Sequence, residues 1–209
     1  MRRLYKGPEP DVLIKNATAW TEEYRDALAN GHRPPTRYSH ADIAAALSRE
    51  TRSQCAYCES RLHGITWAHV EHIHPKSVYP ELVVMWPNLT VACPVCNVNK
   101  RDYASDVAPL VHPYDDDPAE HLIFLGSLQF PTIGDAKGRR TIGHLKLDRA
   151  DLTRERERRL VEVNKSLEEW FRAGERDRDW LEDGIRMDAS EGEFSACVKA
   201  FLVQRGFPL

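Results

Sequence analysis

Four of the five cysteines fall in two Cys-x-x-Cys pairs, Cys55-Ala-Tyr-Cys58 and Cys93-Pro-Val-Cys96. Each pair puts two thiolates on one short turn, and two such turns supply the four soft ligands of a tetrahedral structural zinc site. The doubled spacing favours metal over a disulfide framework in a reducing compartment. A site closed by four cysteines keeps no open position for substrate, so zinc here is a staple. Any catalysis must come from the residues between the pairs. The leftover Cys197 reads as a small buried apolar residue, not a nucleophile.

Between the pairs lie His69-Val-Glu-His-Ile-His-Pro-Lys76 and Trp86-Pro-Asn-Leu89, and the second pair continues into Asn97-Val-Asn-Lys100. The order is Glu-His, then Asn, then Cys-x-x-Cys-Asn-x-x-Lys. It resembles the HNH nuclease family, whose motif is an acidic residue plus His, a central Asn, and a final His or Asn after a zinc knuckle. The resemblance covers about a quarter of the chain. It implies a ββα-metal core, with the Glu-His pair on a hairpin opposite a helix. It also implies that Asn88 lies in the connecting loop, holding that loop and orienting His72 by hydrogen bonds.

The chemistry stands beside the resemblance. Cleaving a phosphodiester needs a water deprotonated near neutral pH, and histidine suits that work. His72 is the candidate base. Charge building on the phosphorane and the departing oxygen calls for a hard cation, and a carboxylate plus an amide oxygen suit Mg²⁺ or Mn²⁺. Glu71 and Asn97 fit those ligand roles. Pro94 marks a first helical position, so a helix through Lys100 puts Asn97 and Lys100 on one face. Lys76 and Lys100 are candidate contacts to substrate phosphate, with solvated lysines as the plainer reading. Neighbouring strand residues point to opposite faces, so Glu71 and His72 can flank one phosphate only at a strand end or a distortion. By the same rule His72 shares a face with His74, and His69 with Glu71. His74 is therefore a rival base or ligand, and His69 remains open to a direct role.

The elements that must position these residues are helical on both sides. Leu13, Ala17, Trp20, Tyr24 and Leu28 repeat at spacings of three and four after Pro10, predicting a helix. Ser39 reads as the N-cap of a second helix through about Arg49. Leu122 to Leu128 could be a strand or a buried helical turn, and strand is the preferred reading. Leu152, Leu160, Val163, Leu167, Trp170 and Phe171 again follow helical spacing, and Arg154-Glu-Arg-Glu-Arg-Arg159 reads mainly as the solvated face, with a basic docking face as the alternative. A last helix is expected from Phe194 to Val203. Asp115-Asp-Asp117, between Tyr114 and Pro118, is turn chemistry rather than a further metal site. The resulting fold class is α+β: a small HNH core with a four-cysteine zinc site, embedded between helical segments. Its boundaries are an N-terminal helical segment 1–54, a core 55–103 and a mainly helical segment 104–209, the last a candidate partner surface.

With 42% hydrophobic and 29% charged residues, the 209-residue chain belongs to the ordinary globular class. Its apolar runs are far short of the roughly 18–20 residues that span a bilayer, and no apolar stretch follows the basic start, so the cytoplasm is the expected compartment. A formal charge of −3 excludes a whole-molecule positive field, so phosphate binding must be local.

Beyond the core, Met1-Arg-Arg-Leu-Tyr-Lys6, Pro113-Tyr-Asp-Asp-Asp-Pro-Ala-Glu-His121 and Thr141-Ile-Gly-His-Leu-Lys-Leu-Asp-Arg149 are similar to one HNH subfamily. It is PtuB, the nuclease subunit of Septu-type and retron-linked anti-phage systems. Leu145-Lys-Leu-Asp148 departs from the Leu-Gly-Leu-Asn common there. The resemblance implies a PtuA-like ATPase partner, a nucleic-acid substrate with DNA favoured over RNA, and in some systems a retron reverse transcriptase with its reverse-transcribed DNA. The readings that compete with a partnered nuclease are a noncatalytic zinc-binding adaptor and a stand-alone restriction-type HNH enzyme.

Overall fold

A computed structural model describes residues 1–62 and 69–209. Helix α1 (Asp11–Ala29) follows an extended Pro10 and carries Asp11 in its first turn, where a carboxylate complements the helix dipole. Leu13 and Tyr24 are buried, while Ala17 and Trp20 pack at the margin of the same cluster. Leu28 shares their spacing but is exposed, because it borders an open cleft rather than the apolar cluster. Helix α2 (Ala41–Thr51) is capped by His40, whose Nδ1 accepts the Asp42 N–H at 3.2 Å. The expected cap, Ser39, instead ends a 3-10 turn over Arg37–Ser39. Ile43 and Leu47 of α2 join Leu13, Val83, Val84, Trp86, Leu89 and Val91 in one apolar cluster. Both N-terminal helices are thereby fixed to the central hairpin.

That hairpin pairs β1 (His69–His72) antiparallel with β2 (Leu89–Ala92), His72 opposite Leu89 and His69 opposite Ala92. Cys93 leaves β2 and caps α3 (Pro94–Lys100), with Pro94 at the position where a missing N–H costs nothing. Two short strands and a helix thus enclose the candidate residues.

The one-turn helix α4 (Pro118–His121) is capped by Asp117, so this acidic run is turn and cap chemistry. Leu122 to Leu128 opens a second hairpin, β3 (Leu122–Leu125) with β4 (Leu128–Pro131). Gly126 at φ 58 takes the first turn position between them, where glycine carries no Cβ penalty. Helix α5 (Ala136–Leu145) lies so close to this region that a Cβ on Gly138 would meet the His121 carbonyl oxygen at 2.1 Å. Glycine is obligatory there.

The remaining helices are α6 (Ala150–Arg172), α7 (Glu175–Glu191) and α8 (Ser195–Gln204). Leu152, Leu160, Val163 and Leu167 of α6, Ile185 and Ala189 of α7, and Val198 and Leu202 of α8 form a core with the four cysteines of the paired motifs. The charged run on α6 is not wholly solvated. Arg156 falls four residues after Leu152 and four before Leu160, so it faces inward and is 1% exposed. Its guanidinium donates to the Leu147 carbonyl at 2.9 Å and to Gln129 Oε1 at 2.8 Å. Phe171 is exposed at the far end of the helix. Among the described residues, no helix is long and apolar enough to cross a membrane.

Candidate functional site

The sulfurs of Cys55, Cys58, Cys93 and Cys96 lie within 4.8 Å of one another, and all four residues are buried. Cys58 Sγ and Cys93 Sγ are 3.8 Å apart. A tetrahedron with metal–sulfur bonds of about 2.3 Å has edges of about 3.8 Å, so the spacing fits a four-thiolate metal site. Local geometry builds each half. Glu59, at φ 65, reverses the chain after Cys58, and Cys55 N–H donates to the Ser60 carbonyl at 2.9 Å. In the other half Cys93 Sγ accepts the Cys96 N–H at 3.4 Å, so one sulfur both caps α3 and faces the cluster. Arg149 reaches to 3.9 Å from Cys96 Sγ, a cation suited to a group of thiolates. Among the described residues no cysteine is in a disulfide. Cys197 lies apart, buried against the Gly126 carbonyl, and burial pushes its thiol up to about 12.

A cleft of about 450 Å³ lies beside the hairpin. Glu71, His72, Lys76 and Asn97 all line it. His72 ends β1, so the alternation of the strand stops where Glu71 and His72 must share a cavity. His72 is 4% exposed. Its Nε2 lies 2.8 Å from the Val83 carbonyl oxygen, and its ring stands edge-on to Tyr38 with centroids 4.7 Å apart. A carbonyl only accepts, so Nε2 carries the proton and Nδ1 keeps its lone pair. Burial first, then the nearby Lys76 charge, lowers the imidazole to about 4, so it is neutral at neutral pH.

Asn97 Nδ2 donates to His69 Nδ1 at 2.9 Å, which leaves the amide oxygen as an acceptor. Glu71 is buried, and burial raises its carboxyl even though Lys100 pulls it down. Lys100 Nζ lies 2.8 Å from Glu71 Oε1 and donates to the His72 carbonyl at 2.8 Å. Tyr57 O–H also donates to Oε1, at 3.4 Å. An amide oxygen and a carboxylate on one cleft form a hard donor set that fits a small divalent cation.

Two residues sit differently from their sequence-based roles. Lys100 is 3% exposed and points inward to Glu71, whereas Lys76 lines the cleft with Nζ 5.2 Å from the centre of the Tyr38 ring. Asn88 accepts the His74 N–H at 2.7 Å and donates to the His74 and Leu82 carbonyls at 3.1 and 3.0 Å. It closes the loop between β1 and β2, and the hydrogen bond that aims the His72 ring comes from Val83, next to Leu82. His74 is exposed and turns away towards Tyr79 and His112. Tyr38, Ser77, Arg101 and Asp102 border the site without having been singled out. Tyr38 arrives from a remote segment, while Arg101 and Asp102 follow Lys100 directly and were within reach of a helix-end argument.

Lys100→Met is expected to cost about 3–5 kcal/mol, because it strands the Glu71 carboxylate in the interior. Urea denaturation measures the loss, and Glu71→Gln in the same chain should recover most of it. A Lys100→Met protein as stable as the parent would remove the ion pair from the account of the fold.

Residues 55–102 match the family model described as HNH endonuclease. The chain is similar to Septu protein PtuB of Bacillus thuringiensis, 33% identical over 153 residues that cover 72% of this chain and 56% of the relative. It is also similar to Septu protein PtuB of Bacillus mycoides strain KBAB4, 28% identical over 59% of this chain and 52% of the relative. The chain spans about half the length of these curated relatives.

Proposed function

From a chain that carries an HNH endonuclease domain and is homologous to Septu protein PtuB, we propose a metal-dependent endonuclease acting on nucleic acid in anti-phage defence. One observation carries the reading: a neutral, buried His72 whose Nδ1 carries no proton, in a cleft it shares with Glu71, Lys76 and Asn97. His72 Nδ1 takes the proton from the attacking water, and the Val83 carbonyl stabilises the resulting imidazolium through Nε2–H. Glu71 and Asn97 hold Mg²⁺ or Mn²⁺, and such an ion, when bound, stabilises charge on the phosphorane and the departing oxygen. Lys76 and Arg101 border the cleft and neutralise the flanking phosphates. Lys100 is a positioning residue that fixes the Glu71 carboxylate and the end of β1. Asn88 holds the loop that presents Val83. Zinc occupies the four-cysteine site as a staple.

Purified protein incubated with plasmid DNA or total RNA should cut one of them with Mg²⁺ or Mn²⁺ present. Excess EDTA should lower the rate by more than about a hundredfold, as several kcal/mol of charge stabilisation disappear. Cleavage at full rate in EDTA would refute the metal roles of Glu71 and Asn97. DNA is the substrate we favour.

We place the protein in the cytoplasm with an ATPase partner, and with a retron reverse transcriptase and its reverse-transcribed DNA in systems that encode one. The segment 104–209 supplies the partner surface. On α7, Trp180 and Met187 are 75% and 63% exposed, large apolar groups two turns apart. Removing 151–209 would destroy the core contributed by α6 and α8, so point changes are the sharper test. Trp180→Glu with Met187→Glu should lower co-purification of the ATPase by about tenfold or more while leaving the melting temperature unchanged. Undiminished co-purification would move the surface elsewhere.

A further inference from the structure

A second cavity, of about 390 Å³, is lined by Lys100, whose ion-pair partner Glu71 lines the His72 cleft. Lys100 and Tyr57, both in contact with Glu71, form its wall towards the catalytic cleft. His74, two residues beyond His72, points into it. The two cavities are therefore neighbours: one ion pair contributes Glu71 to the first and Lys100 to the second, and the chain leaving β1 contributes His72 to the first and His74 to the second.

Its chemistry differs from that of the cleft. His74 and Tyr79 meet edge to face with centroids 5.5 Å apart, and the His112 ring lies 6.4 Å from His74. Tyr103 is held at another wall by its O–H, which donates to the Ala108 carbonyl at 2.6 Å, and by packing on His144. His112 Nδ1 accepts the Tyr114 and Asp115 N–H groups, and burial lowers its imidazole, so this ring is neutral. The lining cations are already engaged: Lys100 with Glu71 and Lys137 with Asp116. Asp106 and Asp115 add negative charge. Such a lining repels phosphate, whereas it offers ring faces for stacking and carboxylates that accept from exocyclic amines.

We propose that this cavity receives the unpaired base of the nucleotide whose phosphate lies in the His72 cleft. The inference rests on the nuclease reading and adds what that reading leaves open, a requirement for an unstacked base beside the scissile bond. A paired base stays in its helix, so duplex regions are disfavoured at this position.

Binding tests it independently of cleavage. The full-length His72→Ala chain is titrated with a sugar–phosphate trimer carrying a single fluorescent 2-aminopurine and with the same trimer bearing no base, each in deoxyribose and ribose form. The base should strengthen binding by about tenfold, within what one stacked base contributes, and its fluorescence should be quenched. Tyr79→Leu, added to the His72→Ala chain, should remove both effects, and Tyr79→Phe, which keeps the ring, should retain them. The sugar that shows the larger gain identifies DNA or RNA as the source. Equal affinity for the two trimers, or undiminished quenching in the Tyr79→Leu chain, would overturn the subsite. Failure of the nuclease reading has a different signature: wild-type protein that cuts neither DNA nor RNA at a rate above that of His72→Ala.

Discussion

His72→Ala should lower phosphodiester cleavage by about a hundred- to ten-thousandfold, the usual contribution of a positioned general base. Truncation alone would confound the result, since His72 is buried and packed on Tyr38. Removing its ring also leaves a cavity that costs stability. His72→Gln is the cleaner companion. Its amide can still donate to the Val83 carbonyl, and it fills most of the space, but it has no basic nitrogen. Both variants should keep their bound zinc, and the Gln variant should melt near the wild-type temperature. An active His72→Gln enzyme would remove the imidazole from the mechanism, and His74 could not inherit the role without a rearrangement, because it faces the second cavity.

The four-cysteine cluster and the residues that line the cleft were legible because their signals are local. Cysteine pairs of fixed spacing and a Glu-His step next to an Asn-bearing helix each lie within a few residues, and β1, β2 and α3 assemble them as the motif order implies. What sequence reasoning missed depends on distant partners. Lys100 shares a helix face with Asn97, but only the buried Glu71 and the end of β1 decide that its ammonium turns inward. Tyr38 reaches His72 from a segment remote in the sequence, which no local spacing ties to the Glu-His step. Helix α7 escaped notice because it is charged throughout and buries only Ile185 and Ala189, too few to mark a period. Arg156 was hidden in a run of charges whose composition suggested solvent, although its spacing from Leu152 and Leu160 pointed inward. Periodicity outweighed polarity there because two acceptors, Gln129 and the Leu147 carbonyl, were waiting inside.

If the four-cysteine site holds zinc as proposed, Cys55→Ser should strip it and destabilise the whole chain. A four-thiolate zinc site contributes about 10 kcal/mol or more to the folded state, since the unfolded chain holds no preformed site. Here that contribution is not confined to one loop. The four cysteines belong to the same core as Leu160, Leu167 and Leu202, and Asn97 follows Cys96 directly on α3. Losing the ion therefore loosens the helix that carries a proposed ligand of the catalytic cation, so fold and cleavage should fall together. Cys197→Ser supplies the control, because it makes the same atomic change in the same core away from the cluster. It should cost only about 1–3 kcal/mol and keep one zinc per chain. Metal content by mass spectrometry and thermal unfolding by circular dichroism separate the two. A Cys55→Ser protein that lacks zinc yet melts cooperatively at the wild-type temperature would show that the cluster does not hold the fold. Loss of stability in both variants with zinc retained would assign the effect to packing alone.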